Sequence, residues 1–231
     1  MNLDKLKEMA IMLAYAVPIT PHEKFPLLCL HPFTTSTVVH FKDMTFCNLK
    51  DELQNKRWFT ELKETILYIN DFIVLWMMIG DNWKLTYLKY AIDYFEESEF
   101  AEYLADAWVL AENPNNDVNC SLDLLIKWFR RAEKKSLMTE KDYHTWTNIP
   151  HSMKIYRGVG VNRNEKGLSW TNDVDTAIWF ANRFNHGEER GILLEAVVDK
   201  ENVLAYFNTR GEKEVLVDYT KIKFIKETDF I

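Results

Sequence analysis

Cysteine, metal-ligand clusters, long apolar runs and surplus basic charge are all scarce in this chain. Its three cysteines, Cys29, Cys47 and Cys120, are widely spaced and match neither a disulfide framework nor a zinc pattern. A reducing cytoplasm is the simplest setting for them. His22, His31 and His40 recur every nine residues, a spacing that fits no single-helix metal site, so no metal is expected. No cysteine–histidine arrangement suggests a thiol protease, and no repeats or low-complexity tracts appear. The longest apolar run, Phe72 to Gly80, is far shorter than the roughly 20 residues a bilayer crossing needs. The opening Met1 to Lys7 is polar rather than a secretion signal. The expectation is a soluble cytoplasmic protein with no membrane partner. Lys and Arg total 28 against 35 Asp and Glu, and the resulting charge of −7 argues against broad binding to nucleic-acid phosphates. It is compatible with docking on a basic partner surface. Gly158-x-Gly160 does not extend into a dinucleotide fingerprint, because Arg163 stands at the sixth position.

What the chain has is apolar bulk. With 47% hydrophobic residues, including 14 Phe, 10 Tyr and 8 Trp, 231 residues can bury a substantial core in one large or two small domains. Residues 1 to about 149 read mainly as helix. Leu3, Leu6, Ile11, Leu13 and Ala14 predict a first helix, stopped by Pro18 and Pro21. Lys24 to Cys47 reads as irregular, with short strands near Val38–Phe41 and Met44–Cys47. Helical spacing resumes over Leu53–Ile79, Leu85–Phe95 and Phe100–Leu110. Asn113-Pro114-Asn115-Asn116 marks a turn, read as a connector in preference to a segment reaching the site. Ser121 is placed to cap a helix over Leu122–Ala132, burying Leu125, Trp128 and Phe129.

The chemistry concentrates after Pro150. Tyr156-Arg157-Gly158 ends a short apolar strand carrying Met153 and Ile155. Arginine's planar fork suits phosphate oxygens, and the glycine lets a ligand approach the backbone; a plain surface arginine at a strand end is the alternative. Next comes Gly167-Leu168-Ser169-Trp170-Thr171, whose Ser169 and Thr171 share one strand face by alternation. A helix with Ala177, Ile178, Phe180, Ala181 and Phe184 follows, capped by Thr171, Asn172 or Asp173. Taken alone, that strand could equally fill an edge. Last, Glu212-Lys213-Glu214-Val215-Leu216 sets two carboxylates two residues apart, expected on one face of a strand buried at its far end. Carboxylates that close repel unless a cation or ligand compensates, although a solvated strand tip would tolerate them.

In order and spacing, these elements resemble the arginine-serine-glutamate branch of the ADP-ribosyltransferase superfamily, over about the last third of the chain. The resemblance implies an α+β protein: a helical N-terminal region packed on a C-terminal mixed β-sheet core. Residues 1–119 would form the helical region, with target selection as its candidate role. Residues 120–231 would form the NAD-binding core, walled by the helices of 120–149. It implies NAD as co-substrate and a protein side chain as acceptor, arginine first. Arg157 would anchor the pyrophosphate and Ser169 would align sheet and ribose. Glu214 would bond the ribose 2′-hydroxyl and support the cation that forms when nicotinamide leaves, and Glu212 would orient the acceptor. Tyr156, Arg157, Gly158, Ser169, Trp170, Thr171 and Glu214 would line the NAD site. A narrower likeness is to small phage-encoded members, some of which act as anti-CRISPR proteins; it rests also on Ala205-Tyr206-Phe207-Asn208 and Arg210-Gly211. Only Asn208 to Gly211 separate Tyr206-Phe207 from Glu212, so target choice does not transfer from toxin members with a long loop there. The rival readings are an NAD glycohydrolase, a non-catalytic binding module on the same scaffold, and an enzyme acting on nucleic-acid bases.

Overall fold

In the computed structural model, residues 1–161, 163–183 and 191–229 are described. The predicted helical residue Phe184 lies outside them. The chain divides into two compact units, Met1–Glu96 with Asp106–Glu112, and Glu97–Ala105 with Asn113–Ile231. Helix α5 (Glu97–Leu110) is shared between them.

The first unit opens with α1 (Leu3–Ala16), capped by the Asn2 side chain on the Lys5 amide and burying Leu6, Ala10, Leu13 and Ala14. Two antiparallel hairpins follow, β1 (Leu28–His31) with β2 (Thr34–Ser36), and β3 (Val38–His40) with β4 (Phe46–Asn48). The second pair lies where the sequence places short strands. The first falls in the stretch read as irregular, because alternation over four residues between Pro26 and Pro32 is too brief a signal.

The single periodic stretch over Leu53–Ile79 becomes α2 (Glu52–Tyr68) and α3 (Phe72–Met78). Ile69 turns extended, and Asp71 caps a new start by accepting the Ile73 amide at 3.0 Å. With α4 (Lys84–Ala91) these helices enclose an aromatic cluster in which Phe72 lies 6.2 Å from Tyr87 and 5.2 Å from Phe95. The buried Lys84 ammonium is neutralised by Asp81 at 2.8 Å.

His31 is 1% exposed, and its ring contacts settle its protonation. The Ala14 carbonyl, 3.0 Å from Nε2, can only accept, and the Phe33 amide, 3.2 Å from Nδ1, can only donate. The ring is therefore the neutral Nε2–H tautomer. Burial pushes its pKa below the ordinary 6.5, outweighing the Ala14 bond that raises it.

In the second unit, α5 contributes Phe100, edge-on to Trp128 at 5.8 Å. Three helices follow: α6 (Leu122–Arg131), α7 (Lys134–Leu137) and α8 (Glu140–Thr147). Ser121 caps α6 through the Leu124 amide, as its sequence predicts. The strands are β5 (Ser152–Val159), β6 (Ser169–Thr171), β7 (Ile192–Asp199), β8 (Val203–Phe207), β9 (Glu214–Val217) and β10 (Lys223–Asp229). Helix α9 (Val174–Asn182) links β6 to β7, with Asp173 as its cap.

The sheet order is β10-β7-β5-β6-β9-β8, and every neighbouring pair is antiparallel. This confirms an α+β architecture and corrects the expected mixed sheet. The α9 crossover joins strands that flank β5 rather than each other, so it creates no parallel pair.

The two edges of the sheet differ. All of β8 is buried, under α6 and α8: Phe129 meets Phe207 at 6.5 Å, and the Trp146 indole donates to the Val203 carbonyl at 3.1 Å. At the other edge Phe224 and Ile225 are exposed beside Lys223 and Lys226, charges that discourage edge-to-edge pairing. α9 packs directly on β5, and Gly158 makes this possible. A Cβ there would lie 1.8 Å from the Ala177 carbonyl oxygen. The close approach that Gly158 permits is thus by helix α9, not by a ligand.

Two outcomes follow from this packing. Gly158→Ala drives a methyl into the α9 backbone and should lower unfolding free energy by about 1–3 kcal/mol or more. An unchanged denaturation midpoint would contradict this contact. For His31, the depressed folded pKa confers stability that is complete above the ordinary 6.5 and declines as pH falls from there toward the folded value. Denaturant titrations across that range should show a loss on acidification that His31→Gln reduces; an identical pH profile in the variant would rule the ring out.

Candidate active site

β5, β6 and β9 are neighbours, so segments distant in sequence meet at one place in the sheet. Tyr156 pairs with Thr171 and Thr171 with Glu214, forming a row across three strands. Paired residues share a face. Ser169, two positions from Thr171 and paired with Leu216, belongs to that face as well. Trp170 takes the opposite face, 4% exposed, its indole donating to the Gly167 carbonyl at 3.1 Å.

Arg157 leaves β5 on the side opposite Tyr156. Its guanidinium turns onto three backbone carbonyls, with Nε donating to Glu165 at 3.1 Å, Nη1 to Ser169 at 2.7 Å and Nη2 to Asn164 at 3.0 Å. The fork thus holds the loop between β5 and β6. Gly167 leaves room for it, since a Cβ there would come within 2.7 Å of Nη2 and 2.8 Å of Asn115 Oδ1. Burial pushes the Arg157 pKa down to about 10 against the opposing pull of Glu214, and the group stays cationic at neutral pH.

The two glutamates do not stand side by side on a strand. β9 begins at Glu214, and Glu212 sits in the preceding turn. Lys213 between them adopts a left-handed φ of 48°, so the period-two argument fails. That conformation is held from several sides. The Lys213 amide donates to Asn208 Oδ1 at 3.0 Å, and its Nζ meets Asp173 at 2.5 Å. The Thr171 hydroxyl donates to the Glu212 carbonyl at 3.1 Å. The Lys213 bond, with the Thr176 amide, keeps the Asp173 carboxyl below the usual range. Asp142, 4% exposed on α8, accepts the Asn208 amide at 3.4 Å and ties α8 to the same turn.

Two contributors escaped the sequence reading. Asn115, from the turn read as a connector, donates through Nδ2 to Ser169 Oγ at 2.9 Å and accepts the Leu168 amide at 2.7 Å. Its only sequence signal was its place in a polar turn between aromatic helices. Asp142 gave none, as one of two acids on a short amphipathic helix.

The arrangement offers a hydroxyl and a carboxylate on one face of adjoining strands. The Arg157 cation leaves β5 from the other side and reaches them through the Ser169 carbonyl, a correction to the expectation that all three share a face. By charge it fits an anionic, hydroxyl-bearing ligand on which positive charge develops. Among the described residues, no group of three or more His, Cys, Asp and Glu is placed to hold a metal, and no helix is long and apolar enough to cross a membrane. No protein-family model, curated protein or solved structure matches the chain.

Arg157→Lys keeps the charge but loses the planar fork, so it cannot reproduce three carbonyl bonds. It should destabilise the protein by about 1.5–3 kcal/mol and speed amide exchange in residues 164–169. Unaltered exchange there would show that the fork does not hold the loop.

Proposed function

We propose that the C-terminal unit is a mono-ADP-ribosyltransferase, cleaving NAD between nicotinamide and ribose and passing ADP-ribose to a protein side chain, with arginine the first acceptor to test. The observation that carries this reading is the adjacency of β5, β6 and β9, which sets Tyr156, Thr171 and Glu214 in one row with Ser169 beside it. Those are the segments in which the sequence resembles the superfamily. Glu214 would place a fixed negative charge against the cation growing on the ribose, and such preorganised charge acts mainly in the transition state. Ser169 would orient the ribose. Arg157 supplies positive charge for the pyrophosphate, which would share its fork with the loop carbonyls or displace them.

NAD is the co-substrate of this reaction, and no metal enters it. The phage-encoded look-alikes suggest a counter-defence or host-modifying role in a bacterial or infected-host cytoplasm, with a protein as acceptor. One observation favours hydrolysis as a second reading. Lys213 holds Glu212 off the strand, away from the row that Glu214 completes. A carboxylate displaced in that way is less suited to orient a protein acceptor, and water would then take the ribose.

Incubation with labelled NAD and a bacterial lysate separates the two: label on a protein band means transfer, free ADP-ribose alone means hydrolysis. Glu214→Gln should cut either activity by about 10²- to 10³-fold with the fold intact. Full NAD cleavage by that variant would refute the assignment.

A further inference from the structure

We propose that Asn115 is a positioning residue that makes the Ser169 hydroxyl a dedicated hydrogen-bond donor, and that the ligand atom Ser169 meets is an oxygen acceptor, a ribose or phosphate oxygen of NAD. The inference rests on the reading of the site as NAD-cleaving and deepens it.

The orientation of Asn115 follows from its partners. The Leu168 amide can only donate, so the atom 2.7 Å away is the carbonyl Oδ1. The other end, 2.9 Å from Ser169 Oγ, is then the NH2 group, which can only donate. Ser169 Oγ receives that bond through a lone pair, and its own proton is directed elsewhere.

The second hydroxyl of the strand is differently placed. Thr171 is 5% exposed; its Oγ1 donates to the Glu212 carbonyl at 3.1 Å and accepts the Asp173 amide at 3.1 Å. Thr171 is therefore committed to the turn that carries Glu212. Ser169 is half-buried, and among the described residues its proton has no acceptor. Its carbonyl is gripped by Arg157 Nη1 at 2.7 Å, so backbone and hydroxyl are both held in place. Of the two hydroxyls on this face, Ser169 is the one prepared to donate to a ligand.

A double-mutant cycle tests the assignment, read by calorimetric NAD titration and by turnover, with thermal unfolding as the check on folding. Ser169→Ala should weaken NAD binding about three- to tenfold, the worth of one neutral hydrogen bond. Asn115→Asp is nearly isosteric and still accepts the Leu168 amide, but its carboxylate would capture the Ser169 proton. It should weaken binding at least as much, partly by adding charge near Arg157. The charge effect persists in an Ser169→Ala background, whereas the effect through the hydroxyl vanishes. The double variant should therefore bind at least about threefold better than the product of the single losses predicts. Multiplicative losses would overturn the proposal. If Asn115→Asp does not fold, Ser169→Cys decides: a thiol is a weak donor, so affinity should fall as in Ser169→Ala, and full affinity would overturn it. A wild type that neither binds nor cleaves NAD removes the functional reading and this inference together. A wild type that does both, with multiplicative losses, removes the inference alone.

Discussion

β6 is three residues long, and the site depends on how so short a strand is held. It pairs with β5 at one position, Tyr156 with Thr171, and with β9 along its whole length. Three residues of ladder are too few to define a face alone, and the rest of the restraint comes from side chains. Arg157 takes the Ser169 carbonyl, Asn115 takes the hydroxyl and the preceding amide, and the Trp170 indole folds back onto Gly167. The Val217 amide donates to Leu168, extending the attachment to β9 past the strand's end. Each bond is modest in net terms, but together they give the polar groups of β6, the Ser169 proton excepted, partners that offset the larger penalty of burial.

The same logic explains the turn before β9. A lysine at φ 48° is strained by the usual steric rule, and it persists because the surroundings over-determine it. Asn208 takes its amide and Asp173 its ammonium, while Asp142 anchors Asn208 in turn. Asp173 is also the cap of α9, and α9 is seated on β5 through Gly158. The turn that aims Glu214 is thereby joined to the helix that fixes the height of β5. Ser169 and Glu214 owe their shared face to this framework, while Arg157, leaving β5 from the other side, is joined to them by its bond to the Ser169 carbonyl.

Much of the fold was legible in the chain, because its signals are local. Ser121 and Asp173 cap helices through their own side chains, and the capped segments carry apolar residues at helical spacing. The α2–α3 break was missed because apolar residues continue on both sides of Asn70-Asp71, and that short polar pair, the signal of a new cap, was passed over. Ile69 turns extended there and Asp71 starts α3. The β1–β2 hairpin was hidden by its brevity. At the candidate site, the residue types and their strands were readable, but alternation misled at Glu212, where one left-handed residue cancels a period of two.

By itself the sequence determined the strands that carry Arg157, Ser169 and Glu214 and the helix after Asp173, for these follow from nearest neighbours along the chain, whereas β7, β8 and β10 were not read from it. Tertiary structure alone decided that β5 sits between β6 and β7, that Gly158 receives a helix rather than a ligand, and that Asn115 reaches Ser169 from more than fifty residues away. Those outcomes depend on which surfaces meet after collapse, and no local preference encodes a contact between residues so far apart in the chain.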